Sequence, residues 1–109
     1  MAFTPKRLAQ FVATTGEVTY YTVESGRKAV IKNIVIVNTS AAAVSLALSL
    51  VPFGAAAGNS NRIIPTVTIP PNALVPFDMT QVLESQDFIS AIASVGSAIT
   101  VTISGLEGV

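Results

Sequence analysis

No cysteine, histidine or tryptophan occurs among the 109 residues of this chain. Without cysteine there is no disulfide and no thiolate nucleophile. With histidine missing too, a Ser-His-Asp triad, a Cys-His pair and the common zinc constellations cannot be built. Charge is scarce as well: six Lys or Arg balance six Asp or Glu, 11% of the sequence where about 25% is usual. A net charge of zero gives no electrostatic protection against association. Lys6, Arg7, Arg27, Lys28 and Lys32 make at most one small patch, not the basic stripe that nucleic acid requires. Long apolar runs are absent. The uncharged interval 33–61 is interrupted by Asn38, Pro52, Gly54, Asn59 and Ser60, and its apolar residues recur with period two, so no membrane-spanning helix is expected. After Lys6 and Arg7 the apolar stretch 8–13 is cut short by Gln10, Thr14, Thr15 and Gly16, which does not fit a secretion signal.

What is present is alternation. Strand-like runs lie at 8–13, 18–23, 28–38, 44–51, 63–69, 74–79, 87–95 and 99–104, and no segment of ten residues has helical periodicity. Turn signals separate them, including Ser25-Gly26, Pro71-Asn72 and Gly96-Ser97. About eight short strands in one small domain predict an all-β, antiparallel, jelly-roll-like β-sandwich over 8–109, preceded by an N-terminal arm at 1–7. Pro65 and Pro76 lack the amide hydrogen that a central strand donates, so the fifth and sixth strands belong at edges or bulges. Residues 34–37, Ile-Val-Ile-Val, are apolar on both sides and suit a central strand. A helical turn is expected at 80–85, and 52–62 is the longest irregular loop.

The outward positions of two strands carry the functional reading. Val44, Leu46, Leu48 and Leu50 alternate with Ser45, Ala47 and Ser49, and Ile99, Val101 and Ile103 alternate with Thr100, Thr102 and Ser104. A solvated sheet face would show Lys, Glu or Arg in those slots. A monomer of 11.2 kDa exposes roughly 5,700 Å², and a mean hydropathy of +0.64 is high for a chain that leaves all of it in water. Burial against other protein is therefore expected at Ser45, Ala47, Ser49, Thr100 and Thr102, in a homo-oligomer with a trimer as its expected state.

Carboxylates are the remaining chemistry. Asp78, Glu84 and Asp87 are close enough in sequence to form a glycosidase dyad or part of a calcium site. The reading preferred is that they are turn residues, with Asp87 accepting backbone hydrogen bonds. No catalytic residue, cofactor or metal ligand is assigned. The glycine-flanked 54–58 lacks the Lys-Ser/Thr ending of a phosphate loop, and Asn38-Thr39-Ser40 reads as a turn rather than a glycosylation acceptor.

The stretches Tyr21-Thr22-Val23 to Gly26, Ala29-Val30-Ile31-Lys32-Asn33-Ile34, Leu50-Val51-Pro52, 58–63, Ile69-Pro70-Pro71-Asn72, 81–84 and 103–107 together resemble a group of small tailed-bacteriophage virion proteins. The resemblance spans nearly the whole chain and rests on turn and strand signatures. It implies a β-sandwich that assembles with itself and attaches to the major capsid protein as a decoration, or to a tail protein. It also implies a place in the virion, assembled in the host cytoplasm, with no nucleic-acid or membrane partner. The alternative is a receptor- or glycan-binding module at a fibre tip, which would present aromatic side chains in a loop pocket. Departures stand out. Val23-Glu24-Ser25-Gly26 replaces a proline-containing turn usual in the family, which changes only local turn stiffness. Gln86-Asp87 replaces the family's usual Gly-Asp, so if that turn needs positive φ, Gln86 is strained or the turn is rebuilt. Phe88 and Ile92 stand where relatives tend to be polar, which reads either as an extra apolar contact, adding them to the candidate interface, or as core packing from the other side of a covered sheet.

Overall fold

The period-two alternation is realised as eight strands: β1 (Phe3–Val12), β2 (Val18–Thr22), β3 (Lys28–Asn38), β4 (Val44–Val51), β5 (Arg62–Ile69), β6 (Leu74–Leu83), β7 (Phe88–Ala93) and β8 (Ile99–Gly108). The structure, a computed structural model, describes residues 3–108. Among them the only helical element is a 3₁₀ turn at Asn59–Asn61. The strands form two antiparallel sheets in the orders β1-β8-β3-β6 and β2-β7-β4-β5. The first strand pairs with the last, the second with the seventh, the third with the sixth and the fourth with the fifth. A long antiparallel ribbon folded over itself in this way is a jelly roll.

Branched aliphatic side chains fill the space between the sheets. Ile31, Ile34 and Ile36 of β3 face Leu46 and Leu48 of β4, joined by Ile99 and Ile103 of β8, and all seven are fully buried. β3 is central, as the apolar run at 34–37 requires, while Pro65 and Pro76 lie in the edge strands β5 and β6, where their missing amide hydrogens cost no ladder bond. At the opposite edge Phe11 of β1 stacks on Tyr20 of β2, with ring centroids 3.7 Å apart and planes within 6°, closing the sandwich with aromatic area.

Two local expectations need correction. Residues 3–7 are not an arm: β1 starts at Phe3, because β8 runs on to Gly108 and supplies partners as far as Phe3 opposite Gly108. The expected helical turn at 80–85 does not form: β6 continues to Leu83, pairing Val82 with Val30 and Leu83 with Ala29, and the chain then turns at 85–86. The loop 52–62 is the longest irregular connection, as expected, and Asn61 braces it. Asn61 donates from Nδ2 to the Ala56 carbonyl at 2.9 Å and accepts at Oδ1 from the Gly58 amide at 3.1 Å.

The turns follow their side chains. Gly26, with φ +83°, and Asn72, with φ +50°, take the left-handed conformation that their dipeptides signal, while in Gly96-Ser97 it falls on Ser97. Gln86 has φ +68°, so the strain expected from a non-glycine residue at this turn is present. Asp87 next to it holds the turn together. Its Oδ2 accepts from the Glu84 amide at 2.9 Å and its Oδ1 from the Phe53 amide at 2.9 Å, which ties the loop after β4 to the turn before β7.

Candidate functional site

The candidate interface residues occupy both outer faces of the sandwich, because β4 and β7 belong to one sheet and β8 to the other. Five of them share the outer face of the second sheet: Ser45, Ala47 and Ser49 on β4, beside Ile92 and Phe88 on β7. Thr100 and Thr102, with Ser104, lie on the opposite side of the molecule, on the outer face of the first sheet.

The second sheet's outer face is partly covered from within the chain. Arg62 at the start of β5 donates from Nη1 to Ser49 Oγ at 2.8 Å and pairs with Glu17, Nη2 to Oε1 at 3.0 Å. Ser90 donates to the other Glu17 oxygen at 2.8 Å. The small outward side chains of Ser49 and Ser90 are thus roofed by an ion pair that arrives from flanking elements, and both are buried in the monomer. Burial pushes the Glu17 carboxyl up, but the hydrogen bonds from Arg62 and Ser90 with the Arg62 charge outweigh it, and the group titrates below its ordinary range. Farther along the same face Ala47 floors a shallow, mostly apolar depression of about 200 Å³, walled by Ser45, Thr66, Ile92 and Ser94. Ala47 itself is only 4% exposed. A lysine placed there would press on the monomer's own packing as well as on any neighbour.

The first sheet's outer face is more open. Cross-strand register lays it out in four full rows of four, taken from β1 across β8 and β3 to β6, with a fifth, partial row of Phe3, Gly108 and Lys28 at one end. One row is Val12, Thr100, Val37 and Leu74; the next is Gln10, Thr102, Val35 and Pro76. Then come Arg7, Ser104, Asn33 and Asp78, and finally Pro5, Leu106, Val30 and Val82. Val12, Leu74 and Val82 are about half exposed, at 49%, 57% and 51%. Lys32, extruded by a bulge between Ile31 and Asn33, adds one more charge.

The three carboxylates singled out in the sequence do not converge. Asp78 accepts from Asn33 Nδ2 at 2.8 Å, Glu84 pairs with Lys28 at 3.1 Å, and Asp87 holds its two backbone amides. No three acidic groups among the described residues are placed to hold a metal ion. No helix among them is long and apolar enough to cross a membrane. Tyr20 and Tyr21 both pack against the core rather than lining a loop pocket.

Glu107, a residue of no special note in the sequence, organises the other end of the sandwich. It accepts from Lys6 Nζ at 2.8 Å and from the Tyr21 hydroxyl, with Arg27 3.8 Å away. The Lys6 and Tyr21 hydrogen bonds hold its carboxyl below the usual range against the effect of burial. Burial first, and the Glu107 hydrogen bond second, push the Tyr21 phenol well above its own. Glu17 and Glu107 both have depressed folded-state values, so their contribution to stability is complete above the ordinary carboxylate value near 4.5 and is lost as pH falls through the folded ones. The melting temperature should be level between pH 7 and 5 and fall steeply below about 4.5. Thermal scans of a Glu17→Gln, Glu107→Gln double variant should show a shallower acid slope, and an unchanged slope would mean that other carboxylates govern it.

No protein-family model matches the chain, and no curated protein sequence matches it. Solved structures do resemble it. A chain of Bacillus endospore appendages, a family of disulfide-linked pili, superposes with a TM-score of 0.57 at 8% identity, covering 96% of this chain and 86% of that one. A chain of infectious bursal disease virus, Gx strain, superposes with a TM-score of 0.53 at 14% identity, over 97% of this chain and 32% of the viral one. At such identities the likeness is one of fold.

Proposed function

We propose that this chain is a non-enzymatic structural subunit of a tailed-bacteriophage particle, which assembles with itself and attaches to the capsid as a decoration or to the tail. The observation that carries the reading is the open outer face of the first sheet. It offers four rows of mostly apolar or small polar side chains to whatever covers it, and its half-exposed valines and leucine are costly to leave in water. The resemblance to tailed-phage virion proteins supports the same role, as does a fold shared with a pilus chain and a virus chain. Unlike the disulfide-linked pili, this cysteine-free chain has no disulfide to contribute to an assembly. A fibre-tip receptor module is less well supported. The exposed aromatics are Phe3 and Phe53, one on β1 and one in the loop after β4, and they do not share a pocket.

Light scattering coupled to size exclusion, together with immunogold labelling of phage particles, tests this reading. A mass above that of the monomer and label on the capsid or tail are expected. A chain that stays monomeric at high concentration and leaves particles unlabelled would overturn it.

A further inference from the structure

We propose that the outer face of the first sheet is a two-fold interface with a second copy of this chain, its axis parallel to the strands and midway between β8 and β3. The inference rests on the assembly reading above and adds the surface and the symmetry. Such an axis places β1 of one copy over β6 of the other and β8 over β3. Each row then meets its own reverse.

The charges select this arrangement. Arg7 is exposed at the β1 edge and Asp78 is exposed at the β6 edge of the same row, linked through Ser104 and Asn33. Neither is in any ion pair among the described residues. The two-fold sets Arg7 against Asp78 of the second copy, and by symmetry does so twice. The same operation brings Val12 against Leu74, so that two of the most exposed aliphatic side chains cover each other. Sheets packed face to face lie about 10 Å apart with strands nearly aligned, a gap that an extended arginine and an aspartate bridge. A standard specific interface buries roughly 800 Å² per partner, and four strands by four rows give this face a flat footprint of roughly 500 Å² before the relief of its side chains is counted.

Lys32 has neither a counterpart across the axis nor an ion pair among the described residues, whereas Lys28, the other lysine of this face, is paired with Glu84 of its own chain. Lys32 stands on β3, next to the strand that carries Asp78, and lies over Ser104 of the second copy. Removing it should therefore tighten the pairing. Opposed faces of this kind are isologous and closed by two-fold symmetry, so the elementary unit is a dimer rather than the trimer expected from the sequence.

Sedimentation equilibrium on the full chain tests the proposal through charge exchange. The unmodified chain should dimerise. Arg7→Asp and Asp78→Arg, each of which sets like charges opposite one another twice, should each weaken dimerisation about 100-fold. The combined Arg7→Asp, Asp78→Arg chain should recover to within about tenfold, and Lys32→Ser should associate more tightly than the unmodified chain. Circular dichroism of each variant checks that the exposed substitutions leave the fold intact, and the combined variant decides the matter if a single one does not fold. If the chain associates but the exchange neither weakens nor restores it, this interface is wrong and the assembly reading survives. A chain that is monomeric throughout would overturn both.

Discussion

Replacing Gly105 with alanine should lower stability by about 3 kcal/mol or more, in a domain whose total is of the order of 5–15 kcal/mol. Gly105 lies in β8 between Lys6 of β1 and Ile31 of β3. A β-carbon built on it overlaps the Val30 carbonyl oxygen and comes within 2.9 Å of the Val30 carbonyl carbon and 3.2 Å of the Ile31 α-carbon. These are backbone atoms of a central strand, and no side chain can rotate away to make room. The cause is the bulge at Lys32, where β3 gains a residue relative to β8 and presses its backbone toward the neighbouring strand. At roughly 4–8 °C per kcal/mol for a domain of this size, the melting temperature should fall by about 12 °C at the least. Gly16→Ala is the control, because nothing lies within 4 Å of a β-carbon there, and it should leave the midpoint nearly unchanged. Equal midpoints for the two variants would show that β3 can relax around the added carbon.

That constraint could not be read from the sequence, and the reason applies to much of the site. Features decided by one strand were legible. Pro65 and Pro76 pointed to edges or bulges and lie in edge strands, and the doubly apolar 34–37 marked a central one. Features decided between distant segments were not. The bulge that crowds Gly105 exists only in the pairing of β3 with β8, and the roof over Ser49 is built by Glu17 and Arg62, which are 45 residues apart. The small outward residues of β4 and β8 looked alike in sequence. One set is partly roofed by an internal ion pair and the other is open, and the two lie on opposite sides of the molecule. A scarcity of charge was therefore an ambiguous sign: on one face it goes with cover supplied by the chain itself, and on the other with a surface the chain leaves open.

Asn38→Asp should be the second severe substitution, although it changes a single atom. Asn38 ends β3 with no solvent exposure. Its Nδ2 donates to the carbonyls of Ala42 at 2.8 Å and Ile69 at 3.0 Å, and its Oδ1 accepts from the Ser40 amide at 2.9 Å and the Ser40 hydroxyl at 2.8 Å. One side chain thus shapes the β3–β4 turn and fastens it to the end of β5, and its amide nitrogen has no freedom left to accept a glycan. Aspartate keeps the acceptor but turns the donor into a second oxygen facing two carbonyl oxygens, in a site without water to spread the charge. Alanine is milder in charge yet takes the side-chain partner from the Ser40 amide and the Ile69 carbonyl, at about 1 kcal/mol each, while the Ala42 carbonyl keeps the Ser40 hydroxyl. A loss of about 2 kcal/mol is expected for Asn38→Ala and more for Asn38→Asp at pH 7. The two can be told apart by acid. Protonated aspartic acid regains one donor, so the Asn38→Asp chain should recover relative to Asn38→Ala as the pH is lowered from 7 to 5, above the range where Glu17 and Glu107 begin to fail. Thermal scans across that interval measure the difference, and parallel curves for the two variants would show that the donated hydrogen bonds are not what holds the turn.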